Sequence, residues 1–149
     1  MLKLLSEYKN GNYTVKIYND GTKIRETEDD AFNAEFPENI DIKITNMCNN
    51  NCTFCFESST PFGKHGILNH PFIDSLKPYT ELAIGGGNPL EHPDLEEFLL
   101  KLKSKNIIAN ITIRQNDFIT NYELLKHYSD NKLIYGIGIS LIDPNDEFI

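Results

Sequence analysis

Apolar and polar positions alternate over short stretches in the first quarter of the chain. Tyr13 to Tyr18 (YTVKIY) alternates β-formers, Asn19-Asp20-Gly21 supplies a turn that tolerates positive φ, and Lys23 to Thr27 resumes the extended pattern. This predicts a β-hairpin. Glu26 to Asp30 then places four carboxylates in five residues, and the chain reaches Pro37 without an apolar period. That stretch predicts a solvated connector or a short helix, because charge runs are usually solvated surface.

From Ile40 onward the texture changes. Ile40 to Thr45 (IDIKIT) predicts a strand, His70 to Leu76 a helix, and Glu81 to Ile84 a short apolar strand running into Gly85-Gly86-Gly87. Pro93 to Lys105 carries Leu95, Phe98, Leu99 and Leu102 at helical spacing, with Glu96, Glu97, Lys101 and Lys103 on the other face. Ile107 to Ile113 is rich in β-branched residues and predicts a third strand, Asn121 to Tyr128 a short helix, and Ile134 to Leu141 a fourth, buried strand. Strands separated by helices imply parallel βαβ units with right-handed crossovers. The pattern divides the chain into residues 1–37, hairpin and acidic connector, and residues 38–149, an α/β domain. It contains no internal repeat and no low-complexity tract.

Composition adds exclusions. The 149 residues are 40% hydrophobic and 24% charged, the profile of an ordinary globular chain able to bury a core. Fourteen basic residues stand against 22 acidic ones, a net charge of -8 with no Lys/Arg cluster, which argues against nucleic acid as an affinity partner. No apolar stretch approaches a membrane span or a signal-peptide core, so the expected compartment is the cytoplasm.

The chemistry concentrates in three cysteines, Cys48, Cys52 and Cys55, inside eight residues. An odd number cannot all pair, which argues for a reducing compartment over a disulfide framework. They follow a predicted strand, where the chain leaves the carboxyl end of a sheet and α/β folds place their chemistry. Asn49, Asn50, Asn51 and Thr53 surround them, a poor setting for cysteines buried only to pack. A structural zinc would need a fourth ligand such as His65 or His70, and there is no second C-x2-C pair. An iron–sulfur cluster uses thiolates at such spacing. Zinc and cluster both remain open on the residues alone.

The segment Thr45-Asn-Met-Cys48-Asn49-Asn-Asn-Cys52-Thr-Phe54-Cys55 resembles the signature of the radical S-adenosylmethionine (radical SAM) enzymes. The resemblance implies a 4Fe-4S cluster with one cysteine on each of three irons and the fourth iron open to SAM. It further implies a 5′-deoxyadenosyl radical that removes a hydrogen atom from a substrate, here unidentified, and an electron donor such as a flavodoxin or ferredoxin. Gly86-Gly87-Asn88-Pro89, reached through Gly85, is similar to the family's glycine-glycine-glutamate-proline motif, which holds the methionyl amino group of SAM. Asn88 replaces the acid, keeping an acceptor but losing the charge. A Cβ at Gly86 or Gly87 is expected to intrude where backbone meets cofactor. By the same resemblance Phe54 packs beside the cluster and presents backbone to the adenine. Asn116, in the polar run Arg114-Gln115-Asn116, and Ser140, near Asp143, lie where relatives contact SAM. No residue is assigned as catalytic. Gly63-Lys64-His65-Gly66 is expected to be a mobile polar loop.

The implied fold is a parallel-stranded partial TIM-type barrel of the (β/α)6 kind, incomplete, with about four βα strands, preceded by the N-terminal hairpin. The resemblance covers Asp41 to about Asp143, and the expected fifth and sixth strands have no counterpart. A missing C-terminal half, or self-association through the fourth strand, is therefore expected. The alternative reading is a zinc-binding or iron–sulfur electron-transfer module that does not cleave SAM.

Overall fold

The computed structural model describes residues 1–141, so Asp143 lies outside the described residues. The chain divides into two compact units, Met1–Glu38 and one beginning at Asn39.

In the first unit, β1 (Leu4–Asn10), β2 (Tyr13–Tyr18) and β3 (Lys23–Glu26) form an antiparallel sheet in that order. The expected hairpin is β2–β3, in the register Val15↔Arg25 and Ile17↔Lys23. β1 was not expected, and it makes the hairpin a three-stranded sheet. Its signal is the Gly11-Asn12 connection, a two-residue hairpin loop with Gly11 at φ +60. Tyr13, Val15 and Ile17 are the buried face of β2.

The acidic stretch is a connector with no helix. Two asparagines hold it. Buried Asn10 accepts the amides of Glu35 and Phe36 at 2.8 and 3.1 Å. Asn12 accepts the Asn33 amide at 2.7 Å and donates to Asp29 and Ala31 at 2.7 and 2.9 Å. These side chains take up backbone groups that a helix would have paired.

The second unit carries β4 (Asn39–Thr45), α1 (Pro71–Ser75), β5 (Glu81–Gly86), a 3-10 turn (Pro89–Glu91), α2 (Leu95–Ser104), β6 (Ile108–Arg114), α3 (Gln115–Thr120), α4 (Tyr122–Asp130) and β7 (Gly136–Ser140). The strands are parallel and lie in chain order, β4-β5-β6-β7. This is a mixed α/β arrangement, one antiparallel and one parallel sheet. α2 buries Leu95, Phe98, Leu99 and Leu102 as its period requires. They join Ile44, Leu82, Ile84, Ala109, Ile111 and Ile113 in one core.

Because side chains alternate across a strand, the other face of the sheet carries Asp41, Lys43, Ala83, Gly85, Asn110, Thr112 and Arg114. The row Asp41↔Ala83↔Asn110↔Gly136 crosses all four strands on that face. One expectation needs correction. The fourth strand is not buried: β7 is partly to fully exposed, with Ile139 and Ser140 open, because it pairs with β6 alone among the described residues. α3, an element the sequence pattern did not indicate, starts at Gln115 directly after β6 and carries Asn116.

Candidate functional site

The parallel strands end together, and the long segment after β4 folds back on that end. Asn46 donates to the Lys64 carbonyl at 2.9 Å, Gly66 to Ile44 at 2.8 Å and Cys48 to Thr60 at 2.9 Å. Gly63-Lys64-His65-Gly66 is thus laid along the end of β4, contrary to the expectation of a mobile loop. A side chain at Gly63 would collide with the Asn46 carbonyl. Thr45, fully buried, accepts the Met47 amide at 3.0 Å and shares a 2.9 Å hydrogen bond with His65 Nδ1. His92 accepts the Asp94 amide at Nδ1, so its Nε2 carries the proton donated to the Gly66 carbonyl. The His65 and His92 rings lie 4.9 Å apart.

Within this frame all three cysteines are free thiols, Cys48 buried and Cys52 and Cys55 half-buried. Cys52 and Cys55 bracket a tight turn closed by the Cys55 amide on the Cys52 carbonyl at 3.2 Å, and a second turn runs from Cys55 to Ser58. Asn50 Nδ2 lies 3.5 Å from the Cys48 sulfur and also donates to Asp117 at 2.8 Å, tying the loop to α3. The Ser59 amide points at the Cys55 sulfur from 3.5 Å. That amide holds the Cys55 thiol below the usual range, assisted by the amides of Glu57 and Ser58 and opposed by a smaller desolvation effect.

The donor set therefore fits an iron–sulfur cluster in kind and number: three free thiols on one loop, one of them held toward thiolate by backbone N–H groups. Among the described residues no three His, Cys, Asp or Glu side chains are gathered closely enough to hold a metal ion as they stand. Loading requires the sulfurs to draw together. The two candidate zinc histidines already have structural partners, His65 at Thr45 and His70 as the cap that accepts the Phe72 amide at the start of α1.

The glycine run packs against the cysteine loop. Gly87 donates to the Thr45 carbonyl and Asn88 to the Met47 carbonyl, each at 2.8 Å. Gly86 sits at φ +117, and a Cβ there would strike the Thr45 carbonyl; one on Gly87 would strike that of Met47. The glycines let β5 close on the start of the cysteine loop, so what a Cβ meets at Gly86 and Gly87 is protein backbone. Gly85 alone of the three has open space where a Cβ would lie.

Asn88 is buried, and its acceptor oxygen caps the 3-10 turn at the Leu90 amide, 3.1 Å away. Phe54 is 82% exposed rather than packed. Asn116 is exposed on α3 and Ser140 is exposed on β7. Sequence reasoning missed two residues here. One is Asp117, which holds Asn50. The other is Glu91, whose Oε1 accepts from Asn49 Nδ2 at 2.9 Å and lies 3.4 Å from the Asn49 amide and from Asn88 Nδ2. A carboxylate three residues after Asn88 was the available signal, because positions i and i+3 of a 3-10 turn stack.

No family model, characterised protein or solved structure matches the chain.

Proposed function

We propose that this chain is a radical SAM domain, with Cys48, Cys52 and Cys55 as the ligands of a 4Fe-4S cluster and the carboxyl ends of β4–β7 as the face that receives SAM. The observation that carries the reading is the joining of two separate motifs. The cysteine loop and the strand end at Gly86-Gly87-Asn88 are bonded backbone to backbone through Thr45 and Met47.

A reduced cluster held by Cys48, Cys52 and Cys55 would supply the single electron for reductive cleavage of SAM, with methionine as the leaving group and hydrogen abstraction from substrate as the chemistry served. The protein's own part is positional. The turn at Cys52–Cys55 brings the backbones of these two cysteines together, the Ser59 amide favours the ionised form of Cys55, and Asn50 fixes the loop to α3. Gly85 leaves room beside the strand end for a ligand's approach. Arg114, whose Nε is buried without a hydrogen-bond partner among the described residues, offers a donor at the end of β6 for a carboxylate. The polar face of the sheet, Asp41, Asn110 and Thr112 among its residues, is the lining this reading assigns to the inside of a partial (β/α)6 barrel. The substrate is unidentified, and a flavodoxin- or ferredoxin-like protein is the proposed electron source.

The test is anaerobic reconstitution followed by iron and sulfide analysis and electron paramagnetic resonance with and without SAM. Near four irons per chain and a SAM-dependent change in the reduced signal support the proposal. A cluster whose signal ignores SAM indicates an electron-transfer module, and stoichiometric zinc in place of iron indicates a structural site. Either result overturns it.

A further inference from the structure

The 3-10 turn after β5 carries a carboxylate with half of its hydrogen-bonding capacity unused. Glu91 Oε1 is surrounded by amide donors, the side chain and backbone of Asn49 and the side chain of Asn88. Its Oε2 is buried and has no hydrogen-bond partner among the described residues. A buried carboxylate oxygen without a donor is costly, so Oε2 calls for a donor beyond those it has among the described residues, and a cationic donor is the strongest partner for it.

Its position indicates which cation. The turn packs against β4, β5 and β6 at their carboxyl ends, and Asn49, which grips Glu91, directly follows Cys48. Asn88 is a weak partner for a cation, since it carries no charge, its oxygen already accepts the Leu90 amide and its amide nitrogen faces Glu91. The one-turn stacking of residues 88 and 91 brings the carboxylate of the later residue to the side chain of the earlier one.

We infer that Glu91 supplies the acid absent at position 88, and that its Oε2 accepts the ammonium of the methionyl group of SAM. The inference rests on the radical SAM reading and adds to it the residue that recognises the amino group. It makes Glu91 a binding residue at the same time as a clamp on the loop that bears the cysteines. Because Oε1 does the clamping and Oε2 the recognition, the two roles separate in an isosteric variant.

The experiment is equilibrium dialysis of the anaerobically reconstituted full chain against SAM and against the analogue in which hydrogen replaces the amino group. The unmodified protein binds SAM at least tenfold more tightly than the desamino analogue. Glu91→Gln keeps an acceptor for Asn49 and an unchanged iron and sulfide content, loses at least tenfold in SAM affinity, and binds the desamino analogue as before. Equal affinity of the unmodified protein for both compounds overturns the inference whatever becomes of the variant. So does a loaded Glu91→Gln protein with undiminished SAM affinity, or one that loses both compounds alike. Failure of the unmodified, iron-loaded protein to bind SAM at all defeats the radical SAM reading itself.

Discussion

Gly87 and Met47 approach so closely that a single methyl group on the glycine would collide with the methionine carbonyl oxygen, while the amide next along, that of Asn88, donates to that same oxygen at 2.8 Å. The third glycine of the run is thereby a packing element. It presses the end of one strand against the loop that leaves the next.

Gly87→Ala should therefore lower stability by about 2 kcal/mol, in the range of overpacking against atoms that cannot give way. Gly85→Ala, where the new methyl meets open space, should be neutral or stabilising by roughly 0.5 kcal/mol. Denaturant unfolding of the two variants provides the comparison. Equal effects would show that the collision is relieved at no cost.

Replacing Cys48, Cys52 or Cys55 singly with Ala should each abolish stable cluster loading, because three sulfurs are the fewest that hold such a cluster with one iron open. Iron and acid-labile sulfide per chain report it. A full complement in any one variant removes that cysteine from the ligand set.

In the unloaded protein Cys55 should alkylate with a midpoint below the usual thiol value of about 8.5. The Ser59 amide stabilises its thiolate, and the proton therefore leaves at lower pH. Mass spectrometry of iodoacetamide-treated protein across pH resolves each cysteine, and a Cys55 midpoint at or above that value contradicts the geometry.

Glu38 joins Arg25 and Tyr13 in the first unit. Arg25 Nε lies 3.0 and 3.1 Å from its two oxygens, Arg25 Nη2 2.8 Å from Oε2, and the Tyr13 hydroxyl 2.6 Å from Oε1. Burial by itself would raise the carboxyl, but these bonds outweigh it and hold it below the ordinary carboxylate value. A carboxyl lowered in the folded state contributes stability above its unfolded pKa, about 4.3, and loses that contribution as pH falls through the folded value. Glu38→Gln should cost about 2 kcal/mol at neutral pH, the range of hydrogen bonds to a charged group. The gap in melting temperature from the unmodified protein should close below about pH 4; a gap independent of pH would assign the loss to shape alone.

Much of the architecture was legible because it is local. Leu95, Phe98, Leu99 and Leu102 define one helix face by spacing, and all four are buried. Ile40 to Thr45, Glu81 to Ile84 and Ile107 to Ile113 announce strands through β-branched and apolar content, and each is one. β1 escaped because Leu4 to Asn10 has an irregular alternation, and its pairing to β2 supplies the order that its own pattern lacks.

The sequence by itself determined the strand-and-helix alternation and the clustering of three cysteines after the first parallel strand, since both are written in neighbouring residues. Tertiary structure alone decided what the neighbours of that cluster do. The backbone contacts of Gly86 and Gly87, the engaged acceptor of Asn88, the exposure of β7 and the Glu91 oxygen without a partner among the described residues all depend on which atoms meet across separate strands and loops. A spacing pattern names the donors available, but whether a donor is free or occupied is settled only when distant segments pack.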